Sequence, residues 1–151
     1  MNRTLIRGAT IITMDAQGDL ARGDLLVTGD TITEIAPSLS VDEAQVVDGS
    51  GCILIPGLVN AHMHTWQTAL RGLAANWTLL EYFKNMHAGL ATVFEPQDLH
   101  IATLMGALNQ LNCGTTTLVD WCHNNRTPQH NDAAIAGLLE SGIRAAFFHG
   151  T

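Results

Sequence analysis

The sequence predicts an α/β protein with a parallel sheet, preceded by a separate β-rich segment. Three observations carry this prediction. From Leu58 onward, short apolar runs alternate with helical patterns, the order that builds a parallel sheet with helical crossovers. Before Pro56-Gly57 there are only short strand candidates separated by turn residues. The length, 151 residues, is ordinary for a single domain, so neither part needs disulfides to fold.

The elements follow in order. Leu5-Ile6, Ala9–Met14, Leu25–Thr28 and Thr31–Ala36 are apolar or β-branched runs bounded by Gly8, the turn at 15–18, and Gly29-Asp30. Thr28-Gly29-Asp30-Thr31 reads as a tight hairpin. Asp48-Gly49-Ser50-Gly51 is a second turn, ahead of a strand at Cys52–Ile55. Residues 1–56 are thus expected to be small antiparallel strands, marginal as a sheet on their own. Leu58–His62 suits a buried strand. Leu79, Leu80 and Phe83 share one helical face. Pro96–Asn112 is the clearest helix, with Pro96 at a first helical position and Ile101, Leu104, Met105, Leu108 and Leu111 at 3–4 spacing. Gly114 stops it. Thr115–Asp120 is a β-branched strand, Asp132–Glu140 a shorter helix ending near Gly142, and Ile143–His149 a third strand. There is no internal repeat and no low-complexity segment.

Apolar residues make up 46%, enough for a core, but charged residues only 14%, against about 25% in a typical soluble domain. Disorder is excluded by this balance. A thin charged surface suggests that part of it is covered by something else. Net charge is −7 and Lys84 is the single lysine, which argues against nucleic-acid binding. Cys52, Cys113 and Cys122 are odd in number and form no CxxC pair. A disulfide framework or structural zinc knuckle is not expected, and a reducing compartment is. No apolar stretch has the length of a signal peptide or a membrane span, so a cytoplasmic protein without membrane contact is expected.

The strongest chemical signal is His62-Met63-His64. In a strand, residues i and i+2 face the same side, so two imidazoles converge and can hold a divalent metal at ~2.0–2.1 Å each. A bound metal lowers the pKa of its water toward ~7. An isolated HxH is also a common accident. Cupins use HxH too, but want a Glu about four residues after the second His, where Thr68 and Ala69 stand before helical text.

Context narrows the choice. Ile55-Pro56-Gly57-Leu58-Val59-Asn60-Ala61-His62-Met63-His64 resembles the PG-(L/F)-(I/V)-(N/D)-x-H-x-H signature of the amidohydrolase superfamily. Val47–Gly51 resembles the turn that leads into it, and Ile6–Thr13 the start of such chains. Leu70-Arg71-Gly72 and Cys113–Thr117 resemble the deaminase and chlorohydrolase branch, which includes cytosine, guanine, 8-oxoguanine and S-adenosylhomocysteine deaminases and s-triazine hydrolases. The motifs run in order along essentially the whole chain. The resemblance implies a β-sandwich part at 1–56 and, at 57–151, the first three units of a (β/α)₈ TIM barrel. A closed barrel needs roughly 200 residues or more, so this one is incomplete. It implies a metal-dependent hydrolase, most simply a deaminase of an amino-substituted N-heterocycle, with a chlorohydrolase or cyclic-amide hydrolase as alternatives. Zn²⁺, or else Fe²⁺, is implied on His62 and His64. Further ligands and the acid–base residues are expected beyond Thr151. The implied partners are a small heterocyclic substrate, the remainder of the polypeptide or a complementary chain, and a second copy in a homo-oligomer at full length. The reading from a different class is a noncatalytic fragment or assembly module.

Four residues are candidates for substrate contact. Gln67, three after His64, has an amide that can both donate to and accept from a ring edge. Trp66 can wall a pocket or pack between strand and helix. Trp121 follows the second parallel strand and His149 ends the third, where residues face a barrel's active site. His123, past the second parallel strand, reads either as approaching substrate or, the favoured reading, as an exposed loop residue; His87 and His100 read as surface or helix histidines, and Cys122 as a small buried residue without a base.

Overall fold

The computed structural model describes residues 2–16 and 18–150. Gln17, within the turn expected at 15–18, lies outside the described residues, as do Met1 and Thr151. The chain divides into two compact units between Pro56 and Gly57. Together they hold a mixed α/β fold: a five-stranded mixed sheet in the first unit and a three-stranded parallel sheet in the second.

The first unit contains β1 (Arg3–Ile11), β2 (Leu20–Thr28), β3 (Thr31–Ala36), β4 (Gln45–Asp48) and β5 (Ile53–Leu54). The order is β3-β2-β1-β4, with β5 also on β1. Thr28 pairs with Thr31 across a two-residue loop, the expected hairpin. Two expectations are corrected. The runs at Leu5-Ile6 and Ala9–Met14 are one strand, interrupted by a register shift around Gly8 rather than by a turn. The sheet is not wholly antiparallel: β4 and β5 run parallel to β1. The segment between β3 and β4 carries the chain back, packing Leu39, Val41 and Ala44 with Leu5 and Leu26. Packing of those residues returns the chain to place β4, a strand not expected from the sequence, parallel to β1.

Asp24 ties these irregular parts together. Its buried carboxylate accepts the N–H of Gly8 at 2.9 Å and of Leu39 at 2.9 Å. With Arg7 3.8 Å away, these bonds hold the carboxyl below its ordinary value, the Leu39 N–H contributing most.

The second unit has the parallel order β6-β7-β8, with β6 Leu58–Met63, β7 Thr115–Cys122 and β8 Arg144–His149. Crossover helix α2 occupies Pro96–Asn112, and Glu95 and Asp98 form a reciprocal cap at its start. Helix α3 occupies Pro128–Ser141. It starts four residues before the predicted Asp132 because Pro128 takes the first-turn position that proline tolerates. Between β6 and α2 lie a 3-10 turn (Thr65–Leu70), a short helix α1 (Leu79–Tyr82), a π turn (Phe83–His87) and a second 3-10 turn (Leu90–Val93). Trp66, Met86, Leu99, Ala102, Cys122 and Ala134 form one buried cluster under this segment; Ala107, Leu118, Leu138 and Ile143 form another.

Gly106 sets how closely α2 approaches the chain beyond β6. A Cβ there would fall on Thr68 Oγ1 and lie 2.6 Å from Thr65 Cγ2. Only glycine lets the helix back directly onto the turn that follows His64.

Candidate functional site

The site gathers at the C-terminal ends of β6 and β7. His62 is near the end of β6, and His64 lies just past it, opening the 3-10 turn. Asp120, fully buried in β7, accepts the Thr65 N–H through Oδ1 at 3.0 Å and so anchors the chain directly after His64. Its Oδ2 has no hydrogen-bond partner among the described residues. Burial pushes this carboxyl up, while the Thr65 N–H and the nearby His64 pull the other way.

The two rings meet edge to face, with centroids 4.9 Å apart and planes at 77°. His64 Nδ1 is 2.7 Å from the Trp121 carbonyl oxygen. A carbonyl only accepts, so Nδ1 carries the proton and Nε2 keeps its lone pair. This is the outer bond that typically fixes a metal-binding imidazole. The ring nitrogens of His62 have no hydrogen-bond partner among the described residues; its main-chain N–H is held by Asn60 Oδ1 at 3.1 Å. The pair therefore offers two nitrogen lone pairs side by side, a donor set suited to Zn²⁺. Among the described residues no group of three or more His, Cys, Asp or Glu is placed to hold a metal.

Two more imidazoles join them, and both depart from expectation. His123 is half-buried, not an exposed loop residue: its ring centroid is 4.1 Å from that of His64 and 4.4 Å from that of His87. Trp66 Nε1 donates to its Nδ1 at 3.1 Å. Burial first, then the neighbouring His64, His87 and His62, push His123 down to about 4, which leaves it neutral at pH 7. His87 is likewise half-buried, and is lowered by burial and by His64. It is carried inward by the π turn, closed by Ala88 N–H to Phe83 O at 3.0 Å. Such turns often accompany functional sites. Tyr82 Oη joins the wall, bonded to Gln67 Nε2 at 2.7 Å and His87 Nε2 at 3.0 Å. His123 was legible in part, from its place just past β7. Nothing in sequence spacing marks His87, because a regular helix would point it elsewhere.

A pocket of about 410 Å³ is lined by His64, Tyr82, Phe83, His87, Trp121 and His123. A second, of about 310 Å³, is lined by His62, Met63, His64, Gln67, Thr68 and Arg71, so His64 borders both. Gln67 and Trp121 thus sit on pocket walls. Trp66 does not: it is fully buried, packed edge-on to Phe94 at 5.3 Å, and supports His123 from below. His149 is exposed, in register with Cys122, and makes no ring or hydrogen-bond contact with the histidine cluster among the described residues. The Cys122 thiol is buried and pushed up to about 12, so it is no nucleophile.

This arrangement, two strand-end histidines on a parallel sheet, defines the class. No family model matches the chain. It is 31% identical, over 97% of its length, to the 5-methylthioadenosine/S-adenosylhomocysteine deaminase of Caldicellulosiruptor saccharolyticus, and 29% identical, again over 97%, to the 5′-deoxyadenosine deaminase of Methanosarcina acetivorans. It covers 34% and 33% of those proteins. Among solved structures it superposes on the triazine hydrolase of Arthrobacter aurescens with a TM-score of 0.85 at 28% identity, covering 97% of this chain and 35% of that one. The atrazine chlorohydrolase from Arthrobacter aurescens TC1, solved with zinc, gives 0.80 at 29% identity, covering 95% and 35%. The chain is a homologue of the amidohydrolase superfamily, and spans about a third of the length of the relatives it matches.

Proposed function

We propose that the protein to which this chain belongs is a zinc-dependent hydrolase that deaminates an amino-substituted N-heterocycle. On this reading β6, β7 and β8 are the first three strands of a (β/α)₈ barrel, and residues 1–56 are part of a β-sandwich. The observation that carries the reading is the His62/His64 pair, with His64 Nδ1–H bound to the Trp121 carbonyl and Nε2 left as a ligand. The deaminase relatives support the reaction class, and the zinc-bound chlorohydrolase supports the metal.

His62 and His64 would hold the zinc, with further ligands from chain outside this sequence, since catalytic zinc normally has three protein ligands. A zinc held by these residues would lower the pKa of a bound water toward neutrality. The chain's own residues bind and orient. The exposed face of Trp121 offers a surface on which a flat ring can stack. Gln67, held by Tyr82, lines the neighbouring pocket, where its amide could meet a ring edge. The likeness to a chlorohydrolase makes chloride a second candidate leaving group.

The test uses the full-length protein, zinc-supplemented and desalted. Metal content is measured, and release of ammonia or chloride is followed with 5′-methylthioadenosine, S-adenosylhomocysteine, 5′-deoxyadenosine and atrazine. The expected result is stoichiometric zinc and release from at least one compound. His62→Ala and His64→Ala should each lose the zinc and at least a hundredfold in kcat/KM. Absence of zinc from the wild type, or unchanged kcat/KM in both variants, overturns the proposal.

A further inference from the structure

The pocket beside His64 holds more imidazole than a metal needs from this chain. His62 and His64 account for the ligands; His123 and His87 do not, yet both are drawn into the same wall. A tryptophan indole N–H can only donate. Its 3.1 Å bond to Nδ1 makes that nitrogen an acceptor, so a neutral His123 carries its single proton on Nε2. Trp66 is fully buried, which fixes both tautomer and ring orientation from below. Other polar groups of the site satisfy one another: Tyr82 Oη bonds both Gln67 and His87. His123 lines the pocket, and its Nε2 has no hydrogen-bond partner among the described residues. It is an oriented N–H with nothing to donate to. The same pocket is lined by Trp121, 45% exposed, a surface suited to a flat ring.

We propose that His123 is the ring-reading residue of this site: its Nε2–H donates to an acceptor nitrogen of a planar N-heterocycle seated against Trp121. The assignment rests on the heterocycle reading above and names the group that recognises the ring. It selects rings with a lone-pair nitrogen in the plane over carbocycles of the same shape.

The test compares 2,4-diamino-1,3,5-triazine with 1,3-diaminobenzene, which keeps the amino groups and replaces the ring nitrogens by C–H. Binding to the full-length protein is followed by NMR titration. The wild type should prefer the triazine by about fivefold or more, the size of one neutral hydrogen bond. His123→Leu should abolish the preference, weakening triazine binding more than diaminobenzene binding. His123→Gln, whose amide N–H reaches about the same place, should restore it. An undiminished preference in His123→Leu, or no binding of either ring by the wild type, overturns the assignment. The two proposals fail separately. Zinc-dependent release with wild-type kcat/KM in His123→Leu leaves the hydrolase standing and removes His123. A His123-dependent preference without zinc or turnover keeps the heterocycle site and removes the hydrolase.

Discussion

At the scale of single residues, the structure uses buried polar groups as anchors. Asp120 holds the chain after His64, Trp66 fixes His123, and Asp24 joins the bulge in β1 to the crossover at Leu39. The last gives a clean prediction, because all its partners lie within the first unit. Asp24→Ala leaves the buried Leu39 N–H without its acceptor, which should cost on the order of 2 kcal/mol. Asp24→Asn keeps the shape but loses the charge. The native carboxyl is held below its ordinary value, so its charge contributes stability above about pH 4, and that contribution is lost as pH falls through the lowered folded value. Urea unfolding should therefore show wild type more stable than Asp24→Asn at pH 7, with the gap closing toward pH 3. A gap constant with pH would mean that the charge does nothing.

At the scale of elements, the bounds of α2 were readable from its proline and glycine stop over Pro96–Asn112, but its buried face was not: Leu99, Ala102, Thr103, Gly106 and Ala107 are buried, while Ile101, Met105 and Leu108 of the apolar stripe stand exposed. The HxH pair was legible, because its motif is local. Three further things were not. The parallel placement of β4 and β5 depends on burying Leu39 and Val41, a packing choice invisible to strand propensity. The π turn at Phe83–His87 adds one residue to a turn, and with it the direction in which His87 points. Trp66 was read as a wall because sequence gives proximity to His64 but not depth; full burial makes it a support. The contact between α2 and the turn after His64 is an element-scale constraint with its own consequence. Gly106→Ala places a methyl 2.6 Å from Thr65 Cγ2. Overpacking of this kind should cost about 1–3 kcal/mol. Because Thr65 follows His64 directly, the variant should also weaken zinc binding, measured by competition with a chromophoric chelator. Unaltered zinc affinity together with unaltered stability would show that the turn yields freely.

At the scale of the whole chain, the low charge fraction finds a physical correlate. Large apolar side chains stand exposed in both units, among them Ile32, Val46 and Ile53 in the first and Val59, Leu80, Val93, Ile101, Met105 and Leu139 in the second. An apolar hollow of about 370 Å³, lined by residues such as Ile6, Leu25, Val27, Ile35 and Leu54, lies on the first unit. In the second, β6 and β8 each have one neighbour among the described residues, so a parallel sheet presents two open edges. Parallel sheets are normally covered on both faces, and open edges template association. Such exposed apolar faces and open edges favour association with another surface. The 151-residue polypeptide by itself should therefore associate. At about 20 μM it should elute ahead of a 16.2 kDa monomer, bind a dye specific for exposed apolar surface, and unfold over a broad range of urea. Net charge of −7 opposes association only weakly at 0.15 M salt, where the screening length is about 8 Å, so added salt should enlarge the species. A monomer with one sharp transition and no dye binding would show instead that these faces are adequately solvated as they stand, and that the thin charge needs no covering partner.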